Sequence, residues 1–207
     1  MKAEMDEALR ERLLAMARHD LDVRTRLAED GSLFEGYHPD MQAVHDANAA
    51  ALDAIVTERG WPSVTLVGAD GAEAAWLVAQ HAIGQPGFQR RCLGLLEAAA
   101  ARGEVPGWQP AYLADRIRSL EGRPQLYGTQ FDWDADGLMS PLPIEMPDEV
   151  DARRAAIGLP PLTETTAMHR RNAAAEAKPA DFARRKQEAH DWAVRTGWRP
   201  PDQSSRA

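Results

Sequence analysis

The sequence predicts a mainly α fold, with five or six packed helices, one small β-hairpin and a helical C-terminal extension. Three observations lead to this fold class. Apolar residues recur at helical spacing through most of the chain, residues that start or end helices separate these stretches, and a single segment, residues 125–144, has the pattern of a hairpin. The chain has 207 residues, of which 44% are hydrophobic, so it can form a sizeable core.

The first two helices are predicted from their pattern and their end signals. Residues 3–28 place apolar side chains at helical spacing, and this pattern stops at Gly31. The second helix begins at Pro39, because proline in the first helical position costs no hydrogen bond, and it ends at Gly60. Local chemistry therefore bounds both helices.

The rest of the chain up to residue 160 is predicted in the same way. The β-branched residues of Ser63–Val67 favour a short strand or an extended linker. Asp70 can cap the helix that follows, and an Asp-Gly pair supplies a turn signal for the hairpin. The later elements are predicted as helices at 70–84, 87–102 and 110–121, the hairpin at 125–144 and a short helix at 147–157.

A domain boundary is predicted at Pro160-Pro161. Residues 1–160 form the helical domain, and residues 161–207 form a helical extension. The extension is helix-prone but poor in large aliphatic residues, and Pro179 interrupts it, so it cannot bury much surface alone. We therefore expect it either to dock partly on the domain or to be flexible.

The chain is acidic, with a formal net charge of -8 at pH 7. This charge disfavours nonspecific binding to nucleic acid or to an anionic membrane, since both depend on clustered Lys and Arg. The first helix has charged residues where a signal peptide would be apolar, and no stretch approaches the roughly 20 apolar residues of a membrane span. The single cysteine, Cys92, has apolar neighbours that predict an inert buried thiol. We expect a soluble, cytoplasmic protein.

Polar residues interrupt the apolar faces of three predicted helices. His45 and Asn48 share one side of the second helix with apolar residues. Gln80 and His81 lie in a nearly charge-free run, and Arg116 falls within another apolar face. Burying such a group without a partner costs roughly 1–3 kcal/mol, so each one needs an internal hydrogen bond or a ligand. The pattern predicts a polar cluster inside a helical core.

The cluster predicts a candidate catalytic site. His45 and His81 are the predicted catalytic residues, because a partly buried imidazole exchanges protons near neutral pH. Arg116 can hold a carboxylate or a phosphate with two parallel hydrogen bonds. We expect these three residues to surround one common site, with Tyr127 or Gln130 nearby. The predicted ligand-binding residues are Asn48, Gln80, Asp115, Arg116, Tyr127 and Gln130.

Neither a metal ion nor a cofactor is predicted. The two histidines lack a recognisable third ligand, and the chain has no H-E-x-x-H or Cys/His pattern. The loop at 132–137 has the D-x-D-x-D-G opening of an EF-hand, but the twelfth position, which requires glutamate, is Pro143. The segment 67–71 lacks the first glycine of a dinucleotide-binding fingerprint. Both loops are therefore predicted to be turns.

Eight short motifs between residues 37 and 130 support a family comparison. They are Tyr37-His38-Pro39, Val44-His45, Gly60-Trp61-Pro62, Val67-Gly68, Ala74-Ala75-Trp76-Leu77, Gln80-His81, Asp115-Arg116 and Tyr127-Gly128-Thr129-Gln130. Together they resemble a bacterial family known as domain of unknown function 6624, over roughly residues 35–160. The resemblance implies a shared fold and is compatible with a shared pocket, and it assigns no catalytic role.

Two functions from different classes remain open. The first is an enzyme, or a degenerate enzyme, that acts on a small polar or anionic molecule in a pocket between helices. The alternative is a non-catalytic protein–protein interaction module, in which the polar cluster is a structural network and amphipathic termini contact a protein partner. An open cavity that reaches His45 and His81 would favour the enzyme. An exposed apolar patch beside a closed polar core would favour the module.

Overall fold

The computed structural model of the chain describes residues 5–34, 36–175 and 181–201. These residues contain eight α-helices, and the two strands among them form one antiparallel hairpin. The mainly α prediction is therefore confirmed. Six of the eight helices in the described residues precede position 160, in agreement with the predicted five or six.

The chain divides into two compact units, Met1–Leu113 and Ala114–Ala207. The boundary expected at Pro160 stays a prediction. Residue 3, the predicted start of the first helix, lies outside the described residues, and within them the helix begins only at Glu7. The interruption predicted at Pro179 also lies outside the described residues.

The first unit is a packed group of helices. α1 packs against α2 and α3, α2 packs against α3, and α3 packs against α4. Between them, the side chains of Leu13, Leu52 and Leu96 are fully buried, and burial of each contributes about 1.5–3 kcal/mol to folding. The helices are α1 (Glu7–Glu29), α2 (Pro39–Arg59), α3 (Val64–His81), α4 (Pro86–Ala101) and α5 (Trp108–Leu120), which continues into the second unit.

Caps explain where α1 and α2 begin and end. The carboxylate of Asp6 accepts a hydrogen bond from the N–H of Leu9 at the start of α1. His38 caps α2 with its Nδ1 atom, and Pro39 follows it in the first helical position, as predicted. α2 ends at Gly60, whose φ of 73° is a left-handed conformation that glycine adopts without strain.

The strand or linker predicted at Ser63–Val67 is wrong, because α3 already begins at Val64. The hydroxyl oxygen of Ser63 accepts a hydrogen bond from the N–H of Leu66, so it caps the helix, and this local gain outweighs the weak strand preference of the β-branched residues. The helix kinks at Gly68, where φ is 73° and ψ is 170°. Asp70 lies just beyond the kink, where its carboxylate accepts a hydrogen bond from Gly71 N–H.

The second unit combines the hairpin with three more helices. β1 (Phe131–Trp133) and β2 (Met139–Pro141) pair within the segment predicted as a hairpin, with Asp132 opposite Ser140. At the turn between them, the carboxylate of Asp134 accepts hydrogen bonds from two backbone N–H groups and from the Ser140 hydroxyl. This loop is thus a turn held by its own carboxylate. The helices are α6 (Val150–Ala156), α7 (Leu162–Asn172) and α8 (Phe182–Arg195).

A buried carboxylate organises the loop between α5 and β1. Asp115 on α5 is fully buried, and it accepts hydrogen bonds from the backbone N–H groups of Leu126, Tyr127 and Thr129. The hydroxyl of Thr129 donates to the same carboxylate. Because all of these donors belong to one short loop, Asp115 fixes the loop's conformation.

Candidate functional site

The site in the first unit is built around Asp20, a carboxylate buried in the middle of α1. Asp20 shares the buried face of α1 with Leu13, Ala17 and Leu27, and none of its surface is exposed. α3 presents small buried side chains such as Ala75 and Ala79, which allow the backbones of neighbouring helices to approach closely. A charged group at such a position requires partners, because an unpaired buried charge is strongly destabilising.

Two histidines supply these partners, and each contacts a different oxygen of Asp20. The Nδ1 atom of His81, at the end of α3, lies 2.8 Å from Oδ1 of Asp20 and is hydrogen-bonded to it. The Nε2 atom of His45, on α2, lies 3.2 Å from Oδ2. The two imidazole rings are 5.3 Å apart between their centroids. Three helices therefore bring one carboxylate and two imidazoles into contact.

Tyr37 adds a fourth group to this centre. Its hydroxyl lies 2.8 Å from Nδ1 of His45 in a hydrogen bond, and the two rings stack with centroids 5.7 Å apart. Burial and the negative charges of Asp46 and Asp20 raise the pKa of Tyr37 above its usual range. The phenol therefore keeps its proton at neutral pH, and His45 is held between a hydroxyl and a carboxylate.

Asp20 is ionised at neutral pH. Burial alone raises the pKa of this carboxyl, but the interactions with His45 and His81 outweigh burial and hold the pKa well below its usual range. An ionised carboxylate next to an imidazole fixes the ring orientation and stabilises its protonated form.

The centre is asymmetric in its access to solvent. The side chain of Asp20 is 1% exposed and that of His45 is 10% exposed, whereas that of His81 is 20% exposed. Of these three side chains, His81 is the most accessible to solvent. His81 is the residue of the centre best placed to exchange a proton with a bound molecule.

The same three side chains form a possible metal-binding group. Asp20, His45 and His81 each offer one ligand atom, and these atoms all lie within 4.8 Å of one another. In the described part of the chain, no other group of three His, Cys, Asp or Glu side chains meets this description. Imidazole nitrogens and carboxylate oxygens are common ligands of divalent transition metals.

The structure brings together the two histidines predicted as catalytic, but it distributes the predicted ligand-binding residues differently. Asn48 donates a hydrogen bond from its side chain to the backbone oxygen of Met16, and so links α2 to α1. Gln80 is 3% exposed, and within the described residues its side-chain nitrogen and oxygen have no hydrogen-bond partner. Asn48 and Gln80 are thus buried in the same unit as the histidines.

The remaining predicted residues belong to the second unit. Asp115 holds the loop described above, and the Gln130 side chain donates a hydrogen bond to the Thr129 hydroxyl in that loop. Arg116 and Tyr127 are half-buried in this unit. The expectation that Arg116 shares one site with His45 and His81, with Tyr127 or Gln130 nearby, stays a prediction.

Two residues of the centre were absent from the predicted site. Asp20 lies on a helix rich in charged residues, so its residue type alone does not distinguish it. Its position on the same helical face as Leu13 and Ala17 is a usable signal that it is buried. Tyr37 precedes α2 and reaches His45 only through the fold. Sequence periodicity carries no signal for such a contact.

The fold and the site define a mainly α protein with a buried carboxylate shared between two histidines. The chain belongs to the family of unknown function DUF6624, whose family model matches residues 7–175. The match includes Asp20, Tyr37, His45 and His81. Searches of curated proteins and of solved structures found no match. Among the described residues, no helix is both long and apolar enough to cross a membrane.

Proposed function

We propose that this protein is an enzyme that acts on a small polar or anionic molecule by proton transfer at the centre formed by Asp20, His45 and His81. The observation that carries the proposal is the sharing of one buried carboxylate by two histidines, of which His81 is the more exposed. A group that exchanges a proton with a bound molecule needs access to solvent, and His81 has more of it than Asp20 or His45.

His81 acts as the general acid or base in this proposal. Its Nδ1–H donates to Asp20, which selects the tautomer whose basic nitrogen is Nε2. When His81 accepts a proton, the negative charge of Asp20 stabilises the imidazolium, as in carboxylate–histidine pairs of hydrolases. General acid–base catalysis of this kind contributes roughly 10²–10⁴-fold to a rate.

His45 and Tyr37 hold the carboxylate in place. His45 contacts the second oxygen of Asp20, and Tyr37 orients His45 from the opposite side of the ring. Both are positioning residues in this proposal, because the side chain of His45 is only 10% exposed.

As part of the same proposal, we expect a bacterial cytoplasmic protein. The single thiol, Cys92, fits a reducing compartment, since it is buried and burial raises its pKa to about 12.

The first test measures ligand binding through thermal stability. Inorganic phosphate, acetate, glycine and glucose are added separately to the wild type, to His81→Ala and to His19→Ala. His19 is the matched control, because it is an exposed histidine one position before Asp20 on α1. We expect at least one compound to raise the melting temperature of the wild type and of the control but not of His81→Ala, since a ligand stabilises only the folded state that binds it.

Turnover is then measured with 4-nitrophenyl acetate and 4-nitrophenyl phosphate, which report acyl and phosphoryl transfer to water. His81→Ala should lower the rate about 10²-fold or more, and His19→Ala should leave it unchanged. The proposal is wrong if no compound stabilises the wild type, neither ester is hydrolysed, and His45→Ala and His81→Ala both lower the melting temperature strongly. That result would favour a structural network and an interaction module.

A further inference from the structure

We infer that Asp20, His45 and His81 form a binding site for one divalent transition-metal ion, and that zinc is the ion that fits these ligands best. This inference deepens the proposed function and rests on it for the use of the ion in catalysis. An imidazole that binds the ion cannot also act as the base, so a metal-bound water would take over the role given above to His81. The three ligands are one carboxylate oxygen and two imidazole nitrogens, and they come from three different helices. Catalytic zinc sites commonly have three protein ligands of these types and leave a fourth position open.

The spacing of the donor atoms fits an ion. Zinc lies about 2.0–2.2 Å from histidine nitrogens and carboxylate oxygens, so two donors on one ion are about 3–4 Å apart. The Nε2 atom of His45 is 3.2 Å from Oδ2 of Asp20, and all three donor groups lie within 4.8 Å of one another. Donor atoms that lie farther apart than about 4 Å would have to move closer together on binding a single ion.

Two buried atoms in the centre lack an aligned hydrogen bond. Nε2 of His45 and Oδ2 of Asp20 lie 3.2 Å apart, but they are poorly aligned for a hydrogen bond, and no other described residue hydrogen-bonds to either atom. Buried polar atoms are rarely left in this state, and each such case calls for an explanation. An ion about 2.1 Å from both atoms would lie beside the line that joins them. It would satisfy both atoms without an aligned N–H···O hydrogen bond between them.

Tyr37 supports the tautomer that metal binding requires. If Nε2 of His45 binds the ion, its Nδ1 carries the proton and donates it to the hydroxyl oxygen of Tyr37, 2.8 Å away. Metal-binding histidines almost always donate their second ring N–H to such an outer partner, which fixes the ring and the tautomer. The contact with Tyr37 therefore agrees with the tautomer of His45 that a metal site requires.

Ligand type and access also agree with a cation. Asp20 contributes a carboxylate oxygen to the donor set, and such oxygens are common ligands of divalent cations. His81 is the most exposed of the three ligands, which leaves the open side of an ion toward solvent. The prediction of no metal rested on the lack of a third ligand, and Asp20 removes that premise. A metal-bound water at this open side would supply the base for the proposed reaction.

The test uses the full-length protein after treatment with a chelator. Zinc chloride is titrated by calorimetry, and cobalt(II) chloride is added separately because its visible absorption reports the ligand geometry. We expect one ion per chain in the wild type, and we expect the same affinity in His19→Ala and Asp22→Asn. These controls are exposed residues of the same types on α1.

Asp20→Asn and His81→Ala should weaken zinc binding by more than about 100-fold, because even the loss of an outer partner of a ligand costs about 10–100-fold. Tyr37→Phe should weaken it by about 10-fold or more, and Tyr112→Phe should have no effect. Circular dichroism checks that each variant is folded. Tyr37→Phe keeps the test decisive if Asp20→Asn does not fold, because it changes only a hydroxyl.

The inference is overturned if the wild type binds no zinc at micromolar concentrations, or if folded Asp20→Asn and His81→Ala bind as tightly as the wild type. Ligand stabilisation or turnover that needs His81 in chelator-treated protein would also overturn it, while leaving the proposed function intact. A third outcome separates the two proposals in the other direction. If the protein binds one zinc ion that depends on His81, but hydrolyses neither ester and is stabilised by no small ligand, the metal site is supported and the proposed enzyme is contradicted.

Discussion

Asp20 in the first unit and Asp115 in the second are both completely buried, but their partners differ in kind. Asp115 accepts hydrogen bonds from three backbone N–H groups and from the hydroxyl of Thr129. Asp20 instead faces the side chains of His45 and His81. A backbone amide keeps its proton at any ordinary pH, whereas an imidazole gains or loses one near neutrality. Asp115 therefore fixes a loop, and Asp20 is suited to chemistry.

This difference shows what a polar residue on an apolar face means. Such a residue indicates a buried group with a partner, and the identity of the partner decides between structure and reactivity. The same sequence signal selected His81 on α3 and Arg116, the neighbour of Asp115, on α5. Only His81 belongs to a group of side chains that can exchange a proton or bind an ion. The contrast between the two buried carboxylates can be tested through the free energy of unfolding.

Asp115→Ala should cause the largest loss of stability. The change leaves the N–H groups of Leu126, Tyr127 and Thr129 without their acceptor, and a buried donor without a partner costs about 1–3 kcal/mol. We expect the free energy of unfolding to fall by about 3–5 kcal/mol in urea denaturation. The exposed Asp148→Ala is the control and should change it by less than about 0.5 kcal/mol. A loss below about 1 kcal/mol in Asp115→Ala would refute the anchoring role.

Asp20→Asn should destabilise less than Asp115→Ala, by about 1–3 kcal/mol at neutral pH. Asparagine keeps the shape of the side chain, but its neutral amide loses the charge that attracts His45 and His81. The exposed Asp22→Asn provides the control in the same helix. If Asp20→Asn were as stable as the wild type, the buried charge would not contribute to folding.

The difference in the free energy of unfolding between wild type and Asp20→Asn should depend on pH, because the pKa of Asp20 is lowered in the folded state. The unfolded carboxyl titrates near 3.8, and the folded one titrates below its usual range. Between these values the unfolded state binds more protons, so the contribution of Asp20 is complete above about pH 4 and is lost as the pH falls further. Urea denaturation at about pH 5 and about pH 3 should therefore show the gap between wild type and Asp20→Asn shrinking at the lower pH. A gap that stays constant would contradict the lowered pKa.

Much of the fold could be predicted because helix ends are local features. Pro39 and Gly60 define α2 through the conformations that proline and glycine favour, so the prediction agrees with the structure. The start of α3 was missed, because the β-branched residues after Ser63 suggested a strand while one hydroxyl capped a helix. Propensity is weaker than a specific hydrogen bond at such a position.

The candidate site could be predicted only in part. His45 and His81 stood out because they interrupt apolar faces, whereas Asp20 is one of many charged residues on a largely exposed helix. Tyr37 contacts His45 through the fold, and no spacing in the chain encodes that contact. The expectation of no metal followed from this same gap, because the signal from the position of Asp20 on the buried face of α1 was not used. Sequence patterns show which groups are buried, but the packing of helices shows which groups meet.

Tyr37→Phe should have a smaller effect on stability, about 1 kcal/mol, because it removes one hydrogen bond and keeps the aromatic stacking on His45. The loss of a neutral hydrogen bond changes the free energy of unfolding by about 0.5–1.5 kcal/mol. Tyr112→Phe is the control, since Tyr112 packs edge-on against Trp76 and Trp108 in the same unit. A loss above about 3 kcal/mol would indicate that the hydroxyl is needed for folding and not only for the orientation of His45.

His81→Ala should have the smallest effect on stability, less than about 1 kcal/mol, although we expect it to abolish ligand and metal binding. The side chain of His81 is more exposed than those of Asp20 and His45, so truncation opens the space next to Oδ1 of Asp20 to solvent, and water can replace the lost hydrogen bond. His45→Ala removes a more deeply buried ring, so it should destabilise more than His81→Ala in the same urea measurement. If the order were reversed, His81 would be a structural partner of Asp20, and the contrast between the two buried carboxylates would no longer hold.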